Sequence, residues 1–124
     1  MVKIFLVGAG GFIGSVSRYL LGGVAHRVSG NHWFPYGTLT VNIIGCFVIG
    51  LVGGIAQSKH IFADEIRLFL VVGLLGGFTT FSSFSHETVM LAKNTQGLAA
   101  LLNVLFQVCV SLSAAWLGHY LVNH

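Results

Sequence analysis

The sequence predicts an all-α membrane protein of four transmembrane helices with a break in the third, and three observations predict it. Of its 124 residues 55% are apolar and only 7% charged, whereas a water-facing surface needs roughly a quarter to a third charged side chains. No Asp, Glu, Lys or Arg stands between Arg27 and Lys59, between Arg67 and Glu87, or after Lys93, and each gap accommodates the roughly 20 apolar residues that cross a bilayer. Two adjacent glycines and two threonines, Gly76-Gly77-Phe78-Thr79-Thr80, interrupt the third apolar run; both residue types are poor helix formers. The four spans are placed near residues 4–25, 37–57, 65–91 and 97–122 of one membrane domain covering 1–124.

The first span follows Lys3 and could be mistaken for a signal peptide. Arg18 interrupts it, no convincing small-residue cleavage site follows, and three more apolar segments need a membrane anyway, so it is read as retained. Its opening, Gly8-Ala-Gly10-Gly11-Phe-Ile-Gly14, resembles a dinucleotide fingerprint. That fingerprint needs a βαβ unit and an acidic residue about 20 positions on, yet the first carboxylate is Asp64. No nucleotide is expected. Helices in lipid associate through small residues at i, i+4 spacing, and Gly10 and Gly14, Gly50 and Gly54, and Gly73 and Gly77 have that spacing. Arg18 either snorkels to the interface or lends positive potential to an anion path.

Polar residues at bilayer depth are functional candidates. In the second span Thr38 and Asn42 are four apart and share a helix face; Asn42 either ties two helices together or lines a pore. In the third span, non-helical backbone after Gly76-Gly77 survives only where it is buried in protein or lines a cavity. Freed carbonyls there suit a hard cation, and the hydroxyls of Thr79, Thr80, Ser82, Ser83 and Ser85 suit an anion. Phe81 and Phe84, three apart, are either core aromatics or present their positive ring edges to an anion. In the fourth span Asn103, Gln107 and Ser111 form a polar track on one face.

Several classes are excluded. Six scattered positive residues and a net charge of +3 are no nucleic-acid footprint. Cys46 and Cys109 fall inside spans as apolar fillers, and the six histidines lie mainly near span ends without metal-ligand spacing. The first, second and fourth spans hold no carboxylate, and Glu87 lies toward the end of the third. A proton-coupled transporter is expected to carry a central one, so passive anion movement is favoured. Four helices hardly surround a polar path alone, so a dimer or larger assembly is expected. Positive residues near the span ends divide into Lys3, Lys59 and Arg67 on one side and Arg27 and Lys93 on the other, almost no orientation signal. Such a chain either inserts both ways, giving an antiparallel pair, or is fixed by a single extra charge.

Three motifs together resemble the Fluc/CrcB family of small fluoride channels: Gly10-Gly11-Phe-Ile-Gly14-Ser-Val-Ser-Arg18-Tyr19, Gly37-Thr38-Leu-Thr-Val-Asn42-Ile-Ile-Gly45, and Gly76-Gly77-Phe78-Thr79-Thr80-Phe81-Ser82-Ser83-Phe84-Ser85. The resemblance spans all four segments. It implies transport rather than catalysis, by an antiparallel dual-topology homodimer embedded in lipid of the cell inner (plasma) membrane as a multi-pass protein. It also implies two fluoride pores and a structural sodium ion at the dimer centre. Gly76 and Thr79 would offer carbonyls to sodium; Phe81, Phe84 and Asn42 would line the fluoride path, with Arg18 electrostatic or structural. Thr38, Ser82, Ser85, Asn103, Gln107 and Ser111 complete the expected pathway. Ser83 stands where the family usually has Thr, and the fourth-span track is commonly richer in hydroxyls and aromatics. A small multidrug-type antiporter and an accessory membrane subunit are the alternative readings.

Overall fold

The computed structural model describes residues 1–30, 32–59 and 63–123, all helix and connection with no strand among them. The elements are α1 (Val2–Ser29), α2 (Tyr36–Lys59), α3 (residues 64–78), α4 (Phe81–Lys93) and α5 (Gly97–Asn123). Four segments are long and apolar enough to cross a membrane: Val2–Ser29, Tyr36–Gln57, Asp64–Lys93 and Gly97–Asn123. The chain is therefore a multi-pass membrane protein. Several helices run past the charges that bounded the spans, since a charged head at a helix end reaches the interface.

Local chemistry sets the boundaries. Gly30 ends α1 in the left-handed conformation at φ 60°, its N–H bonded to the Arg27 carbonyl, a backbone setting glycine adopts without a Cβ penalty. Pro35 leads into α2, and its carbonyl accepts from the Leu39 N–H at 3.1 Å. Within α3, Leu68–Leu75 winds as a π-helix, and Phe106–Val110 does the same within α5. Such wide turns are frequent at functional sites, and no residue in these runs announces them.

Glycine lets the backbones touch. A Cβ on Gly10 would stand 2.8 Å from the Leu74 nitrogen and one on Gly14 2.9 Å from the Phe78 nitrogen, so α1 lies directly on α3. The contact is mutual: a Cβ on Gly73 would meet the Val7 carbonyl oxygen at 2.8 Å, and one on Gly77 the Gly11 oxygen at 2.7 Å. On the other side, α2 packs on α5, with Gly50 against the Ala115 backbone and Gly118 against that of Phe47. This is the small-residue packing that association in lipid relies on. The outward faces, with Phe12, Tyr19, Leu112 and Trp116 exposed, are apolar.

Candidate functional site

The chain leaves the helix at Thr79 and Thr80, both extended, with φ −84° and ψ 156° at Thr79 and φ −149° and ψ 111° at Thr80. Gly76 and Gly77 themselves remain helical. The extended pair sits between α3 and α4 beside α2, where Gly45 leaves room: a Cβ there would stand 3.1 Å from the Phe78 ring and overlap the Thr79 methyl.

Asn42 holds this crossing. Its Oδ1 accepts the Thr80 N–H at 2.8 Å, and its Nδ2 donates to the Thr80 carbonyl at 3.2 Å and to Gln107 Oε1 at 2.9 Å. One carboxamide thus pairs with both backbone groups of Thr80, as a neighbouring strand would, and ties α2 to α5. In the single chain, both Asn42 amide hydrogens are engaged inside the protein, which favours the tie over a donor turned to an open path. The Thr80 hydroxyl caps α4, accepting the Ser83 N–H at 3.2 Å and donating to Ser83 Oγ at 3.1 Å.

These two diversions strip Gly76 and Thr79 of their helical partners. In an unbroken helix each carbonyl accepts from the N–H four residues on. Thr80 N–H, owed to Gly76, goes to Asn42, and Ser83 N–H, owed to Thr79, goes to the Thr80 hydroxyl. Neither carbonyl has the N–H that a continuous helix would give it. No group of three or more His, Cys, Asp or Glu able to hold a metal occurs among the described residues.

Two cavities meet the crossing, and Thr80 lines both. The larger, about 630 Å³, runs from His26, His32, Asn94 and Gln96 at the helix ends to Val41 and Thr80, past Arg18, Thr38, Ser83 and Glu87. The smaller, about 220 Å³, is a groove lined by Asn42, Thr79, Phe81, Phe84, Gln107 and Ser111. Its walls carry unspent polar atoms: Gln107 Nε2 and Ser111 Oγ are buried without a hydrogen-bond partner. Such orphans are costly in a low-dielectric interior. The rings of Phe81 and Phe84 meet edge to face, centroids 5.3 Å apart at 68°. Phe84 is buried, whereas Phe81 is 78% exposed at the flank of the chain.

The expected residues divide. Asn42, Phe81, Phe84, Gln107 and Ser111 gather around the smaller cavity, and Arg18 and Thr38 line the larger. Asn103 lines neither; its Nδ2 donates to Thr88 Oγ1 at 2.9 Å, leaving Oδ1 buried without a partner. Ser82 and Ser85 also line neither, and the Ser85 hydroxyl bonds back to the Phe81 carbonyl at 2.9 Å. Ser83 takes the cavity wall instead. Sequence reasoning passed over Glu87, whose Oε1 accepts from Thr38 Oγ1 at 2.6 Å while Oε2 is buried without a partner. Helical spacing held the signal, because Thr80, Ser83 and Glu87 recur at three and four residues on one face.

Comparison with known proteins places the chain among close relatives. The model of the family described as "CrcB-like protein, Camphor Resistance (CrcB)" matches residues 5–119. A protein of Elusimicrobium minutum named "Fluoride-specific ion channel FluC" is 49% identical over 117 residues, covering 94% of this chain and 90% of the relative. Proteins of the same name from Geobacter sulfurreducens and Methylobacillus flagellatus are each 44% identical, covering 95% and 99% of this chain and 94% and 96% of theirs.

Proposed function

Since the chain belongs to the CrcB-like family, we propose that it is a fluoride-specific ion channel, carrying the anion passively down its electrochemical gradient and lowering cytoplasmic fluoride. The observation that carries this reading is the crossing at Thr80, which Asn42 pins where a larger, partly polar cavity meets a smaller, mainly apolar one within the third span. Fluoride gives up its water only to a pathway rich in replacement donors. The Thr38 and Ser83 hydroxyls and the Arg18 charge supply the outer part, and the inner part runs past Asn42, Gln107, Ser111 and the Phe81–Phe84 ring edges. The N-terminus of α4 adds positive potential at the same depth. Aromatic edges attract an anion without a strong hydrogen bond, so the ion is passed on and not trapped. An inside-negative membrane potential contributes about 2.3 kcal/mol per charge per 100 mV toward anion exit.

The working unit in this reading is an antiparallel homodimer of dual topology with two pores. Support comes from Phe81, which borders the smaller cavity yet stands exposed, so that a second copy would complete the wall. The Gly76 and Thr79 carbonyls fit a sodium ion shared between two copies. A hard cation takes several oxygen ligands, and one chain offers two freed carbonyls here. Bound there, the ion would supply positive charge that compensates carbonyls missing their helical donors.

Glu87 gives the antiporter reading its one supporting observation, a carboxylate on the wall of the larger cavity. Liposomes separate the two. With purified protein, potassium fluoride inside and valinomycin added, the channel releases fluoride without an imposed proton gradient and releases little chloride. Fluoride release that strictly requires a proton gradient contradicts it.

A further inference from the structure

The larger cavity opens between the end of α1 and the connection to α2, and two histidines meet at that mouth. His26, half-buried on the last turn of α1, and His32, exposed in the connection, both line the cavity. His32 Nδ1 lies 3.1 Å from His26 Nε2, the rings inclined at 60° with centroids 5.0 Å apart. One nitrogen donates and the other accepts, so a single proton sits between two lone-pair positions. The separation also suits a shared metal. With metal–nitrogen bonds of about 2.05 Å, nitrogens 3.1 Å apart subtend about 98° at the metal, between octahedral and tetrahedral angles.

We propose that His26 and His32 form a two-nitrogen site for a divalent transition metal of the zinc class, and that its occupation restricts the mouth of the larger cavity. In the neutral pair the donating ring's hydrogen shifts through water to that ring's other nitrogen, with no net proton lost, which frees both facing lone pairs for the metal. His26 Nε2 and His32 Nδ1 become the ligands, each ring keeps a proton on its other nitrogen, and water fills the remaining positions. Imidazole is the right donor class for zinc, copper and nickel. The site depends on the fold rather than on sequence spacing, because the turn at Gly30 carries His32 back to His26. Its effect on flux rests on the channel reading above; its existence does not.

The test uses the full chain without an affinity tag, titrated with Zn²⁺ by calorimetry, alongside His26→Gln and His32→Gln. Loss of an outer partner of a metal ligand already costs about 10- to 100-fold in affinity, so loss of a ligand raises the half-saturating Zn²⁺ concentration at least about tenfold in either variant. In liposomes with Zn²⁺ on both sides, fluoride release slows for the unmodified protein and loses that sensitivity in both variants, each compared with its own metal-free rate. Equal Zn²⁺ half-saturation in all three proteins overturns the site. Histidine-dependent binding that leaves an active flux unchanged overturns the restriction of the mouth. Absence of fluoride release from every protein, with histidine-dependent Zn²⁺ binding intact, counts against the channel reading and supports the metal site.

Discussion

Replacing Asn42 with Ala removes the one side chain that pairs with both backbone groups of Thr80. Three hydrogen bonds go with it, at 2.8, 3.2 and 2.9 Å. Hydrogen bonds between membrane helices average about 0.6 kcal/mol each, so the direct loss is about 2 kcal/mol. Gln107 Oε1 also loses the Asn42 donor at a buried position where Nε2 already lacks a partner; an orphaned buried group adds about 1–3 kcal/mol. The expected destabilisation is therefore about 3–5 kcal/mol, measured by denaturant unfolding of the detergent-solubilised protein, with fluoride release from liposomes largely lost. Gln107→Leu added to Asn42→Ala relieves the orphan, and the pair couples by about 1 kcal/mol or more. Asn42→Ala that unfolds within about 0.5 kcal/mol of the unmodified protein and conducts normally refutes the claim that this amide holds the crossing.

Three further outcomes follow from the same geometry. Gly14→Ala places a methyl inside the Leu74 backbone, and helix separation then costs more than the usual 1–3 kcal/mol of overpacking; Gly53→Ala, with nothing within 4 Å, leaves unfolding in detergent unchanged and serves as the comparison. Thr80→Val deletes the cap on α4 and costs about 1 kcal/mol, visible as a lower denaturation midpoint, while Thr80→Ser retains the cap and the midpoint. Phe81→Ile removes an exposed ring edge beside the smaller cavity, so fluoride release falls while cross-linking still reports an assembled dimer; an unaltered rate takes Phe81 out of the path.

How far the sequence could be read follows from which interactions are local. Membrane spans are a matter of apolar length, so the gaps from Arg27 to Lys59, from Arg67 to Glu87 and after Lys93 revealed three of them, and the apolar segment after Lys3 the fourth. Close packing at Gly10 and Gly14 was equally legible, because i, i+4 spacing alone puts both on one face. The partners of Asn42 were not legible: Thr80 and Gln107 lie 38 and 65 residues away, and only tertiary structure decides whether an amide faces a path or a backbone. The same limit explains Ser82 and Ser85, which local composition ranks with Ser83 although only Ser83 of the three lines a cavity. Glu87 was passed over because its place near the end of a span looked peripheral, whereas its bond to Thr38 draws it onto the cavity wall. The π-helical runs at Leu68–Leu75 and Phe106–Val110 have no sequence signature.

The central claim, a passive fluoride-selective path, meets its most direct test in the reversal potential of purified protein in a planar bilayer. With a tenfold fluoride gradient and chloride equal on both sides, the account predicts a current reversing near 59 mV, the one-electron-charge value for a tenfold ratio, unmoved by a pH difference across the bilayer. A reversal potential that follows chloride or the proton gradient, or no current at all, would contradict it.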